Sequence, residues 1–166
     1  MKRPWLEKAA ATPKFRLIVW LFPIVYVLHV VEELPHFTDW ARQYANASFT
    51  MREYLTVHVA GVAVAVAATL MIRYFPNRVV IFIFFTFVFT PAVFFNIIFH
   101  AGATAVFRAY SPGLLTAITI YPITFFLVGR QALQEKLISS RAALISFFVA
   151  GVFHAADVSH NVFKAW

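Results

Sequence analysis

His29-Val30-Val31-Glu32-Glu33 puts an imidazole and two adjacent carboxylates at the end of a long apolar run. In a helix Glu32 and Glu33 lie three and four residues beyond His29, about 300° and 400° around the axis, so all three side chains can share one side. An ionisable group at the middle of a membrane helix costs roughly 2.5 to 3.5 kcal/mol on insertion scales, and such groups mark functional sites. Neutral imidazoles and carboxylates are the ordinary ligands of zinc, iron and manganese, and spacings of three and four let one helix give two ligands from one face. His29 and Glu33 therefore read as a ligand pair, with Glu32 as a second ligand or a general base that moves protons. Further along, Asn96 and His100 stand four apart, while His154, Asp157 and His160 advance by threes over an arc of about 120°. Two of these last three can face a shared centre, and the third can support them.

What must position these groups is a membrane bundle. The chain has 166 residues, 61% of them hydrophobic and 20 of them Phe, with only 13% charged, and its mean hydropathy is +0.76. That is membrane composition. At about 20 residues per span the length admits five or six helices and no separate soluble domain. The expected fold is all-α, a polytopic membrane helical bundle forming one domain over 1–166, with about five transmembrane helices at 15–34, 54–75, 79–101, 113–129 and 142–158. The apolar run Leu17 to Val31 reads as the first span rather than a cleaved leader, because it ends in acidic residues and Pro35 without a nearby cleavage pattern. A polar loop is expected from Pro35 to about Glu53, and a kink at Pro91. Small residues between Val59 and Ala68 suit close helix packing. The absence of Cys excludes disulfides, thiolate catalysis and Cys-ligated metals. No internal repeat is present, so the duplicated broken helices of many transporters are not found.

The net charge of +7 would suggest a nucleic-acid partner in a soluble protein. Here the basic residues sit mostly in short flanks between apolar runs, which reads as topology and anionic-lipid contact, with no nucleic acid. With the N-terminus inside, Lys2, Arg3, Lys8, Lys14, Arg16, Arg73, Arg78, Arg130, Lys136 and Arg141 lie on the inner side; Arg42, Arg52, Arg108 and Lys164 lie outside. The excess favours N-in/C-out, in the plasma (cytoplasmic) membrane. On this topology His29, Glu32, Glu33, His58, Asn96, His100, His154, Asp157 and His160 all fall roughly 18 to 31 Å from the inner face, at about 1.5 Å per residue. Polar groups from separate helices at one depth are the pattern of a bundle-core site. His36 and His58 read as interfacial, solvated histidines, and Tyr110-Ser111-Pro112-Gly113 as a turn and helix start.

These residues resemble the HXXEE family of small integral membrane proteins. His29-Val30-Val31-Glu32-Glu33 matches its naming motif, Asn96-Ile97-Ile98-Phe99-His100 its N-x-x-x-H motif, and Tyr110-Ser111-Pro112-Gly113 its Y-x-P-G motif. The resemblance implies a multi-pass membrane protein, in a family of unknown function, and strengthens Asn96 and His100 as partners of the first motif. It stops short of His154, Asp157 and His160. A looser likeness of site chemistry runs to the CAAX-type intramembrane metalloproteases, which combine a Glu-Glu pair with histidines on separate helices. In this chain Phe37 stands where those enzymes have a basic residue, and Asn96 where they have Phe.

The expected function is a metal-dependent membrane hydrolase or isomerase acting on a hydrophobic, lipid-like substrate. His29, Glu33, His100 and one of His154, Asp157 and His160 would hold a divalent metal (zinc, iron or manganese), and Glu32, Glu33 and Asn96 are the candidate catalytic residues. A proton- or metal-ion-linked carrier is the alternative, and a structural or regulatory membrane subunit the third reading. The carrier suffers from an inner half with few polar groups beyond Thr86 and Tyr121. The lipid bilayer is the expected partner, and the sequence leaves the oligomeric state open.

Overall fold

The structure is a computed structural model that describes residues 12–163. Six helices occupy it, and no strand occurs among the described residues. They are α1 (Pro13–Glu33), α2 (Phe37–Tyr44), α3 (Met51–Tyr74), α4 (Arg78–Phe107), α5 (Leu114–Gln134) and α6 (Ser140–Asn161). All but α2 are long and apolar enough to cross a membrane. These five give the integral membrane bundle that composition demands.

Helix starts follow from local chemistry. Pro13 opens α1 at a position whose N–H would be unpaired in any case. Thr50 and Glu53 cap α3 reciprocally: Thr50 Oγ1 accepts from the Glu53 N–H at 3.2 Å, and Glu53 Oε2 accepts from the Thr50 N–H at 2.8 Å. Asn77 caps α4 and Ser139 caps α6 one way, each side chain accepting from the N–H three residues on. At its far end α4 stops at Arg108, which takes a left-handed φ of 52°. That is six residues beyond the expected boundary, because Gly102 interrupts nothing.

One expectation needs correction. The stretch after Pro35 is not a plain polar loop but contains α2, whose Phe37, Thr38, Trp40 and Ala41 are buried against the bundle. Alternation of Phe37, Trp40 and Ala41 with Asp39, Arg42 and Gln43 carries this amphipathic turn. Around Pro91, α4 adopts wide π-helical turns over Phe84–Phe89 and Pro91–Phe95. A proline without an N–H removes one rung of the helical ladder, and the wider turns absorb that loss over several residues.

Packing centres on α1 and α4. Helix α1 lies against α3 and α5; α4 packs on α3, α5 and α6. The Phe-rich segment supplies a continuous aromatic seam: Phe89 meets Phe22 edge-on at 5.4 Å, stacks on Phe84 at 5.3 Å and on Phe125 at 5.7 Å. A Cβ at Gly61 would collide with the Tyr26 hydroxyl, so the small residues of α3 do allow close approach to α1. Helix α6 lies along α4 and packs little on α3 or α5, which leaves a cleft on each side of it. Outward faces carry Leu17, Ile24, Val64, Phe126, Phe148 and Val152, all exposed, as lipid contact requires.

The end of α1, the start of α3, the end of α4 and the start of α5 come together at one pole of the bundle. Arg73, Arg78, Arg130, Lys136 and Arg141 gather at the other. Lys2, Arg3, Lys8 and Lys164, which entered the charge count above, lie outside the described residues. Since the chain has no native Cys, single substitutions report sidedness directly. An impermeant maleimide should label Ala47→Cys in intact cells and Gln134→Cys only after permeabilisation; the reverse pattern would overturn an inward N-terminus.

Candidate metal centre

Glu33 closes the last turn of α1 and is 2% exposed. His29, one turn earlier, and His100, from α4, are fully buried beside it. Glu33 Oε1 lies 3.6 Å from His29 Nε2 and 3.3 Å from His100 Nε2. The three side chains each offer a ligand atom within 4.8 Å of the others, and they could hold a metal ion. Such separations are long for hydrogen bonds, which cluster at about 2.7 to 3.2 Å for N–H···O. They suit two atoms on one ion: tetrahedral bonds of about 2.0 to 2.1 Å leave neighbouring ligands about 3.3 to 3.4 Å apart. His100 Nε2 is buried and has no hydrogen-bond partner, so it is open to a ligand.

The far sides of both imidazoles are tied to hydroxyls. His100 Nδ1 lies 2.9 Å from Ser111 Oγ, and His29 Nδ1 lies 2.7 Å from Thr116 Oγ1. Thr116 has one hydroxyl proton and a choice of acceptors, of which Glu32 Oε2 at 2.6 Å is the nearest and is charged. Once that proton goes to Glu32, Thr116 Oγ1 must accept from the His29 Nδ1–H. A neutral imidazole carries one proton, so His29 Nε2 is left as a bare lone pair facing Glu33 and His100. Carboxylate, hydroxyl and imidazole in sequence are the outer support seen behind many metal-binding histidines.

Glu32 also accounts for the start of α5, which has no side-chain cap of its own. Its carboxylate accepts from the Leu115 N–H at 3.0 Å, the Thr116 N–H at 2.8 Å and the Tyr110 hydroxyl. These are the orphan donors and the positive end of the helix dipole, so the anion is stabilised there. The Tyr110 hydroxyl, outside the spans, is held above its ordinary pKa by burial and by its bond to Glu32. Gly113, at φ +97°, passes directly under the cluster. A Cβ there would lie 2.7 Å from His29 Cε1, 2.8 Å from His100 Cε1 and 2.9 Å from Glu33 Cγ.

The second oxygen of Glu33 faces α3. His58 Nε2 lies 3.4 Å from Glu33 Oε2, and Tyr54 donates to the Val30 carbonyl at 3.0 Å and reaches Glu33 Oε2 at 3.4 Å. Asn96 donates from Nδ2 to His29 Nε2 at 2.9 Å, so ligation through that lone pair requires the amide to let go. A cavity of about 260 Å³ reaches this group from the cleft between α3 and α6. Glu33, His58 and Asn96 form its polar end, and Val64, Phe87 and Phe153 are among its apolar walls.

The residues expected from the sixth helix are arranged differently. His154 and Asp157 line that cavity but do not belong to the ligand group, and His160 is exposed in a separate surface hollow. Asp157 accepts from Asn161 Nδ2 at 2.7 Å. Sequence reasoning passed over His58, Tyr54, Ser111, Gly113 and Thr116. His58 carried a usable signal, since it fell at the same depth as the cluster. Gly113 and Ser111 lay inside a motif read only as a turn.

Fold and site together define an all-helical, multi-pass integral membrane protein with a buried His/Glu group able to hold a metal. The chain belongs to the family described as "Protein of unknown function with HXXEE motif", whose sequence model matches residues 20–127. No curated protein and no solved structure matches it.

Gly113 tests the construction of the site. Gly113→Ala combines a left-handed backbone with three close contacts and should destabilise the folded protein by on the order of 2 to 5 kcal/mol in detergent unfolding. Gly102→Ala, with no atom near its Cβ position, should be neutral or stabilising by up to about 1 kcal/mol. Equal tolerance at the two positions would contradict the packing described.

Proposed function

We propose that this protein is a membrane-embedded metalloenzyme, a hydrolase or isomerase of a hydrophobic, lipid-like substrate. The observation that carries the reading is the separation of the ligand atoms of His29, Glu33 and His100, which fits a shared ion and is poor for direct hydrogen bonding. A two-histidine, one-carboxylate set leaves coordination positions open and suits zinc or iron, with manganese also admissible. A metal held there would polarise a substrate oxygen or supply an activated water.

The chain's own residues then divide the remaining work. Glu32 and Thr116 fix the His29 ring and keep its Nε2 unprotonated, so Glu32 is a positioning residue acting through Thr116. Ser111 orients His100. His58, on the cavity wall and beside the second oxygen of Glu33, is placed to exchange a proton with a bound substrate. Asn96 would hand its hydrogen bond from His29 to that substrate. The cleft between α3 and α6 gives an acyl or prenyl chain a route from the bilayer without crossing water. The carrier reading is less well supported: toward the basic pole the buried polar side chains, Thr69, Thr86, Thr124, Gln131 and Ser146, include no acid or histidine among the described residues. An inward N-terminus and residence in the plasma membrane complete the proposal.

Elemental analysis of detergent-purified protein checks it. Wild type should carry close to one equivalent of zinc, iron or manganese, and Glu33→Gln and His100→Ala should fall to background while keeping their helical circular dichroism. Thr116→Val should weaken metal binding by about 10- to 100-fold, with Thr116→Ser close to wild type. A folded wild-type protein that takes up no metal on loading would sink the reading.

A further inference from the structure

The basic pole holds two adjoining hollows unconnected with the His/Glu group. One, of about 640 Å³, lies in the cleft between α5 and α6 against the π-helical part of α4; Phe85, Phe125, Phe126, Leu133, Leu144 and Phe147 are among its walls. The other, of about 460 Å³, includes Arg78, Lys136, Ser139 and Ser140. Leu133, Ile138 and Ser140 line both, so the apolar hollow leads into the cationic one.

Among the described residues no ion pair joins Arg78, Arg130, Lys136 or Arg141 to a carboxylate. Glu135, the acid closest in sequence, is engaged by the Thr12 N–H at 2.8 Å and by Gln131 Nε2 at 2.7 Å. Those bonds, outweighing its burial, hold its carboxyl below the usual range, so it stays an anion committed to its own partners. Arg130 lies over the Phe126 ring at 5.8 Å, at the edge of the apolar hollow. An apolar cleft at membrane depth fills with hydrocarbon rather than water, and cations at its mouth select for a negative headgroup.

We propose that this cleft binds one anionic phospholipid, with an acyl chain between α5 and α6 and its phosphate between Arg78 and Lys136. The lipid fills the gap that α6 leaves by packing mainly on α4, and so ties α6 to the bundle. Gly129 lines the apolar hollow and has open space at its Cβ position. A leucine there would occupy the room of the chain without touching the cations.

The test is native mass spectrometry of the delipidated protein titrated with dioleoyl-phosphatidylglycerol or dioleoyl-phosphatidylcholine. One phosphatidylglycerol should bind at least tenfold more tightly than phosphatidylcholine, since each cation near an anionic lipid is worth about a fivefold preference. Arg78→Gln/Lys136→Gln should abolish the preference, Gly129→Leu should abolish binding of both lipids, and Arg42→Gln/Arg52→Gln at the other pole should change neither. Circular dichroism establishes that each variant is folded, and Gly129→Leu decides the matter if the double variant is not. Equal affinity for the two lipids, or a preference that survives both variants, would overturn the proposal. So would a lipid-free dimer that Gly129→Leu dissociates.

Discussion

A carboxylate sealed inside a membrane bundle must be neutralised, and the structure around Glu33 is a response to that constraint. Burying an isolated anion is prohibitive unless a cation or strong donors accompany it. Among the described residues the groups facing Glu33 are distant: His29, His58, His100 and the Tyr54 hydroxyl, a weak donor, stand 3.3 to 3.6 Å away. Hydrogen bonds of that length return little of the desolvation cost. A divalent ion between the carboxylate and two imidazoles would return it, and would give His100 Nε2, which has no hydrogen-bond partner, something to bind.

The neighbouring carboxylate solves a different problem with the same helix. Glu32 meets the backbone donors of α5 and the Tyr110 hydroxyl. It thereby joins the end of α1 to the start of α5, and through Thr116 it sets the proton on His29. The turn from Tyr110 to Gly113 belongs to the same device: Tyr110 binds Glu32, Ser111 binds His100, and Gly113 leaves the space in which the ligands meet. Three sequence motifs spread over residues 29 to 113 are thus one assembly.

The five spans were legible because membrane solvation writes helices as long apolar runs. The convergence of His29, Glu33 and His100 was legible because costly polar groups fell at one depth. Depth does not give azimuth, however. His154 and His160 share the depth of the cluster yet sit on a helix that packs mainly on α4, and neither joins His29, Glu33 and His100. His58 reads as interfacial from sequence, since a lone histidine near a helix start looks solvated until the Tyr54 ring, 4.2 Å from it, and Glu33 close around it. Helix α2 was hidden because eight residues give too short a periodic signal beside a proline and several charges. The wide turns at Pro91 have no signature beyond the proline itself.

X-ray absorption at the edge of whichever metal accompanies the purified protein tests the central claim most directly. The account predicts two imidazole nitrogens and one carboxylate oxygen at about 2.0 to 2.2 Å, with light-atom ligands completing the shell. The imidazole scattering should fall by half in His100→Ala, which loses its metal on purification and is reloaded with an excess of it. A spectrum without imidazole, or one that is identical in wild type and His100→Ala, would contradict it.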